Sequence, residues 1–332
     1  MKYLIAGDLH IGNNKNNPAF FKTSLQYADW IKNICLEKGI NTIIQLGDVF
    51  HNREMVHVPT INCAHDFFEK LSDYQIHIVV GNHDALYNNT SDVNSLKLLK
   101  NWPNITLHEK VGVLDNMCFC GWGTKLEDIP DTSDVVFGHF DIKGFEMNAY
   151  KISEHGFTAS NLMEKCKMLF SGHYHKPQMR FYDKKPLIYS GSAYQLNWGE
   201  SGEKKYVYIL DSESLQFEMI ENTISPKFVK IKDASQTDEI KNNFVSIEID
   251  KVEDLPKIET QLKNAKCLDF ITVLKKQQSV KSELTESMEI QDSFEGCSVY
   301  ECIDEYVSTL LISEQDKQII LKSLKDTYDK CI

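Results

Sequence analysis

Five times within its first 175 residues the chain runs a short apolar stretch into a glycine and then into an Asp, Asn or His. The sites are LIAGDLH with Asp8 and His10, IIQLGDVFH with Asp48, IVVGNHD with Asn82 and His83, VVFGHF with His139, and LFSGHYH with His173 and His175. Stretches this short and this rich in Ile, Val, Leu and Phe read as buried strands rather than helices. A glycine where the strand stops lets the backbone turn sharply, so the next side chain can point into the crevice above a sheet. Carboxylate, imidazole and amide oxygen are the donors that hold hard to borderline divalent cations. A lone strand-end Asp or His is ordinarily a cap or a satisfied polar group; five in order point to a shared site.

Asp8 and His10, like His173 and His175, stand two apart, which in extended chain puts both side chains on one side. With Asp48, Asn82 and His139 they make seven candidate ligands. That is too many for one ion with open positions and suits two ions that share a carboxylate. Such a centre clamps the attacking and leaving oxygens of a phosphoryl displacement and generates a nucleophile near neutral pH. The chemistry implied is phosphoester hydrolysis.

At 332 residues the chain is too long for one ordinary domain and suits a large core with smaller attachments. No apolar stretch approaches a membrane span, and the N-terminus opens directly into a strand, so a soluble, cytoplasmic protein is expected. Nine cysteines without CxxC pairs fit reduced thiols. A net charge of −12 argues against a broad basic groove that holds nucleic acid by counterion release alone. A polyanionic substrate would need bound metals or a partner chain to supply positive charge.

Along the chain, a strand over residues 2–6 precedes a helix from about Pro18 to Glu37, with Pro near its start and Gly39 past its end. A strand ending at Asp48, a helix from about Pro59 to Asp73, a strand over 76–80 and a helix from Thr90 or Ser91 to Lys100 complete a βαβαβ rhythm. Frequent short strands between 105 and 210 predict a second sheet packed on the first. The expected divisions are a core at 1–212, an α+β attachment at 213–275, a polar linker at 276–296 and a helix pair at 297–332. The last segment carries Val299, Ile303, Val307, Leu310 and Leu311 at helical spacing. Two such helices on a tether have too little core of their own and are expected to dock on a partner.

The order D-x-H, GD, GNHD, GH, GHxH resembles the calcineurin-like metallophosphoesterases. With GDVFHNR, YSGSAYQLNWGE and the appended segments, the chain is similar to the nuclease subunits of SbcCD and Mre11–Rad50 repair complexes, those of large tailed phages included. The resemblance implies a two-sheet α/β/β/α sandwich with a small α+β capping domain and a C-terminal helical hairpin. It implies a two-metal DNA exonuclease and endonuclease in end processing, repair and recombination. One metal would be held by Asp8, His10, Asp48 and His175, the other by Asp48, Asn82, His139 and His173, with manganese preferred and magnesium or iron as alternatives. His83 would protonate the leaving oxygen or stabilise its charge, and His51 would help seat the phosphodiester. The implied partners are double-stranded DNA ends, a Rad50-type (SbcC-type) SMC-like ATPase bound by the C-terminal helices, and a second copy joined through helices near 59–73 and 91–100.

His57, His65, His77, His108 and His155 have no partner pattern and read as surface or core histidines. Two rival readings use the same fold. One is a stand-alone phosphatase or nucleotide phosphodiesterase, which would need neither dimer helices nor a tethered hairpin. The other is a non-catalytic scaffold that recruits the ATPase, which loss of ligands would mark; every expected ligand type is present.

Overall fold

The computed structural model describes residues 1–147, 151–235 and 237–274, and isolated helical positions between 307 and 325. Two units divide at residue 276. In Met1–Lys276 the strands are β1 Lys2–Ala6, β2 Thr42–Gln45, β3 Gln75–Val79, β4 Ala85–Tyr87, β5 Thr90–Asn94, β6 Ile105–His108, β7 Gly112–Leu114, β8 Met117–Cys120 and β9 Ser133–His139. They continue as β10 Cys166–Gly172, β11 Gln178–Tyr182, β12 Lys185–Tyr189, β13 Tyr206–Asp211, β14 Gln216–Glu221, β15 Phe228–Ile231, β16 Phe244–Ile249 and β17 Asp269–Leu274.

Two six-stranded sheets result, ordered β14-β13-β1-β2-β3-β6 and β11-β12-β10-β9-β8-β7. Strands β1, β2, β3 and β6 run parallel, as do β8, β9, β10 and β12, so in each sheet the strand ends that carry ligands share an edge. Alternation within the strands then sorts their side chains. Tyr3 and Ile5 of β1, Val135 and Phe137 of β9, and Met168 and Phe170 of β10 meet between the sheets. Leu4 and Ala6 face a layer built from the helices Pro18–Lys38 and Val58–Lys70, whose Tyr27, Ile31, Phe67 and Phe68 are buried there. Val136 and Leu169 face Leu162 and Met163 of the helix Ala159–Lys165 on the opposite side. This is the expected α/β/β/α sandwich, with strands buried on both faces.

The helix Pro18–Lys38 begins where Asn17 accepts the Ala19 N–H at 2.9 Å and Pro18 supplies a fixed φ, and it ends on Gly39 at φ 65°. The helix expected over 91–100 does not form. Its first half is strand β5, paired with β4, and Ser95–Leu99 is a short 3-10 turn. Ser91 and Asn94 spend their side chains on the Glu109 carbonyl, the Ser91 carbonyl and the Glu109 carboxylate, and such backbone-seeking residues favour turns over helix interiors. The first sheet also continues past residue 212, because β14 pairs with β13 along its whole length.

After β14 a three-stranded parallel sheet, β15-β16-β17, carries the helix Leu255–Asn264, with Ile231, Val245, Ile247 and Leu262 as its core. Phe228 and Phe244 join it to the main body by stacking, Phe244 lying 5.0 Å from Phe20. The polar linker read at 276–296 lies outside the described residues. So does most of the helix pair read at 297–332, of which only scattered helical positions are described. Among the described residues no helix is long and apolar enough to cross a membrane.

Candidate metal centre

The turns that follow β1, β2, β3, β9 and β10 converge at one edge of the sandwich. The Leu9 and His10 N–H groups both reach the Asp48 carbonyl, at 3.1 and 2.9 Å, which binds the first turn to the second. The site edge of β1 is held from the other side by Ala193, whose N–H reaches the Asp8 carbonyl at 2.8 Å. Space at this edge is minimal. A Cβ at Gly81 would lie 2.2 Å from Asp48 Oδ1, and one at Gly172 would lie 2.5 Å from Asp8 Oδ1 and 2.8 Å from His139 Nδ1. These two glycines serve close approach rather than a special dihedral.

The unusual dihedrals fall on the ligands themselves. His10, Asp48 and His173 take φ of 48°, 52° and 92°. One member of each of the Asp8–His10 and His173–His175 pairs takes the left-handed region, so neither pair is the simple extended segment its spacing predicts. Positive φ at a non-glycine residue costs roughly 1–3 kcal/mol and persists only where surrounding bonds hold it.

All seven candidate ligands come together. Asp48 Oδ2 lies between two imidazoles, 3.5 Å from His10 Nε2 and 3.4 Å from His139 Nε2. Beside His10, His175 Nε2 approaches to 3.0 Å, and Asp8 joins these two histidines within metal-binding reach. Beside His139, the Asn82 Oδ1 lies 2.8 Å from His139 Nε2 and 2.8 Å from His173 Nδ1. Asp48 thus stands at the seam of two donor groups.

Partners on the far side of the rings fix which nitrogen is available. His139 Nδ1 donates to the Leu46 carbonyl at 2.8 Å and His175 Nδ1 meets Glu200 Oε1 at 3.0 Å, which leaves the Nε2 lone pairs facing inward. His83 lies over the same edge. Its backbone N–H donates to Asp48 Oδ1 at 2.7 Å and its Nδ1 donates to the His51 carbonyl at 2.7 Å, leaving Nε2 as the reactive nitrogen. The His51 ring stacks near His83, with centroids 5.6 Å apart, and its Nδ1 is 3.3 Å from His10 Nδ1. A cavity of about 490 Å³ opens beside His51, lined also by Lys15, Asn16, Asn52, His57 and Thr60.

The electrostatics ask for cations. Burial pushes the Asp8 carboxyl up to about 7, with Asp48 adding to the shift, and its Oδ1 is buried without any hydrogen-bond partner. Burial also acts on Asp48 in that direction, but His139, His10 and His83 outweigh it and leave Asp48 well below the usual range. Burial holds His10 well below its ordinary value and His173 down at about 3. Burial acts on His139 and His175 in the same direction, but Asp48 lifts His139 to about 9 and Glu200 lifts His175 above its ordinary value, so two imidazoles are held neutral and two carry charge against the carboxylates. Together with the orphaned Asp8 oxygen they form a donor set that fits divalent metal ions, whose binding would displace those protons.

Several supporting residues escape a sequence reading. Asp84 is fully buried and accepts the Phe50 and Gly81 N–H groups, each at 3.0 Å, tying the turn after β2 to the turn after β3. Gln45 spans the Gly7 and Gly47 carbonyls at 3.2 and 2.8 Å. Trp122 packs 5.2 Å from the His173 ring. Glu200 and Lys205, both buried, lie behind His175. Asp84 closes the GNHD motif and Glu200 the NWGE motif, and those acids were the available signal. Away from the site, His77 and His108 bond each other at 2.9 Å and stack on Phe119, while His65 pairs with Asp66 at the surface.

A two-sheet sandwich with paired oxygen and nitrogen donors at one strand-end edge defines a metallophosphoesterase. The chain belongs to the calcineurin-like phosphoesterase superfamily, whose domain profile matches residues 1–214. It is 26% identical to "Exonuclease subunit 1" of Enterobacteria phage T4, over 99% of this chain and 98% of that protein. It is 24% identical to "Putative phosphoesterase 244L" of Invertebrate iridescent virus 6, over 58% of this chain and 73% of that one. An archaeal phosphodiesterase of solved structure aligns with 67% of the chain at a TM-score of 0.37 and 15% identity.

Proposed function

We propose that this chain is a two-metal DNA nuclease, cutting phosphodiester bonds as an exonuclease and endonuclease in DNA end processing, repair and recombination. The observation that carries the proposal is the position of Asp48 Oδ2, 3.5 Å from His10 and 3.4 Å from His139, between two otherwise complete donor groups. Similarity to a phage exonuclease subunit along nearly the whole of both chains supports DNA as the substrate.

Asp8, His10, Asp48 and His175 would hold one divalent ion, and Asp48, Asn82, His139 and His173 the other, with manganese preferred. When bound, the ions supply Lewis-acid neutralisation of the phosphoryl group and activation of the nucleophile. His83, with its proton held on Nδ1 by the His51 carbonyl, has Nε2 free to take up a proton from solvent. It then delivers that proton to the leaving oxygen. His51, at the mouth of the adjoining cavity, seats the phosphodiester.

With a net charge of −12, a partner has to supply much of the DNA affinity. A Rad50-type ATPase, taken up by the C-terminal helices, fills that role, and the module built on β15, β16 and β17 acts as the capping domain. A homodimer would form through the helix Val58–Lys70, where Val58 and Ile61 are exposed, together with Val93 of β5 and Leu98 of the 3-10 turn that follows it.

The test is manganese-dependent cleavage of linear and hairpin-ended duplex DNA by the chain and by His83→Ala, with and without the ATPase, beside a chromogenic phosphodiester. Cleavage that disappears in the mutant and rises with the partner is expected. Turnover of the small ester alone would replace this reading with a small-substrate phosphodiesterase.

A further inference from the structure

Behind His175 lies a buried ion pair that the proposed chemistry does not use. Glu200 and Lys205 are 5% and 3% exposed, and Glu200 Oε2 meets Lys205 Nζ at 2.7 Å. Each is fully engaged. Glu200 accepts from His175 Nδ1 at 3.0 Å, Ser192 Oγ at 3.1 Å, the Leu196 N–H at 3.2 Å and Asn197 Nδ2 at 3.2 Å. Lys205 spends its remaining protons on the His175 carbonyl at 2.7 Å and Glu203 at 2.8 Å. The pair therefore grips His175 twice, by its ring and by its backbone.

The segment that carries Glu200 also holds the first strand of the α+β module. Gln195 accepts the Phe228 N–H at 2.7 Å while its amide donates to the Glu203 carbonyl at 2.8 Å. Ser201 Oγ donates to the Phe228 carbonyl at 2.6 Å, and the Trp198 ring packs edge-on against the Phe228 ring at 4.9 Å. A buried ion pair is weak evidence for stability by itself, since well-packed apolar residues often do as well. Its retention between a candidate ligand and the seat of another module calls for a different reason.

We infer that Glu200, with Lys205 as its counter-charge, is a positioning residue that fixes the His175 ring for metal, and that segment 195–205 transmits the seating of Phe228 to that ring. The inference rests on the metal-site reading given above. Carboxylates behind ligating imidazoles orient the ring and raise its donor strength, and their loss ordinarily weakens metal binding by roughly 10–100-fold.

The experiment is calorimetric titration of the full chain with manganese chloride, with the electron paramagnetic resonance spectrum of the loaded protein as a second readout. Glu200→Gln is expected to lose about 10–100-fold in affinity at one of two sites and to lose the exchange-coupled two-manganese signal. Its thermal midpoint without metal is expected to fall as well, because Lys205 keeps only Glu203 as counter-charge, so the positioning role is read from the loss at a single site and from the vanished coupled signal rather than from stability. Should Glu200→Gln fail to fold, Ser192→Ala removes one bond to the carboxylate, together with the Ser192 Oγ bond to the Tyr194 carbonyl, leaves the Glu200–Lys205 pair intact and is expected to weaken binding roughly threefold.

Gln195→Leu, which releases Phe228, is expected to weaken manganese binding in the wild-type background and not in Glu200→Gln, as sites on one chain of contacts couple. Wild-type affinity and an intact coupled signal in Glu200→Gln, or in Ser192→Ala where the former does not fold, overturn the positioning role. Additive effects of the two substitutions overturn the link to Phe228. A wild-type chain that takes up manganese but cuts no DNA sinks the nuclease reading and leaves this one standing; a chain that takes up none sinks both.

Discussion

His83 holds Asp48 through its backbone and the His51 carbonyl through its ring, so its two roles separate cleanly by mutation. His83→Ala keeps the backbone bond and should bind metal normally, while hydrolysis falls on the order of 10²–10⁴-fold, the usual worth of a positioned acid. Asp48→Asn should instead abolish uptake at both sites, because the charge that faces His10 and His139 is gone; calorimetry with manganese distinguishes the two. Asp84 acts at one remove. In Asp84→Ala the Phe50 and Gly81 N–H groups lose their partner, which should cost about 2–6 kcal/mol of unfolding free energy at roughly 1–3 per orphaned donor. A urea midpoint equal to wild type would refute that account.

At the level of elements, the candidate site is an edge where five turns press together, and its tolerances are set by backbone contact. Gly172→Ala places a methyl 2.4 Å from the Leu46 carbonyl and 2.5 Å from Asp8 Oδ1, so it should lower stability and metal uptake together, unlike substitutions of the ligands alone. This edge was legible in advance because apolar runs ending in Gly and then a donor residue carry both the strand and its destination in one short string. The left-handed turns at His10, Asp48 and His173 were not, since neither Asp nor His signals positive φ as glycine does. Glu200 and Lys205 escaped for another reason: acids and lysines near the end of a core domain look like surface until tertiary packing buries them. The missing helix over 91–100 shows the reverse case, in which a plausible apolar spacing lost to side chains that bond locally to backbone.

For the molecule as a whole, titration and metal occupancy should both register in the melting temperature. Burial holds His108 down at about 3, with His77 adding to the shift, so the folded state resists a proton that the unfolded chain accepts near 6.5. Stability from this pair is complete above about pH 6.5 and is lost as pH falls from there toward 3. His108→Leu should make the melting temperature fall less steeply across that window than it does in the wild type, both measured without metal. Manganese at 100 times its dissociation constant should add about 2.7 kcal/mol, a rise of several degrees that a chelator reverses.

The topology carries a consequence in time. Strand β1 is flanked by β2 on one side and β13 on the other, and the Asp8 carbonyl waits for the N–H of Ala193. A growing polypeptide therefore leaves the ribosome with its first donor residue, Asp8, roughly 8–33 s before the last, His175, arrives, at about 5–20 residues per second. Throughout that interval no partial product holds His175 and its supports in place. If the chain cuts DNA as proposed, truncated or unfinished copies are harmless to the genome around them, and hazard begins only when synthesis of the core is done.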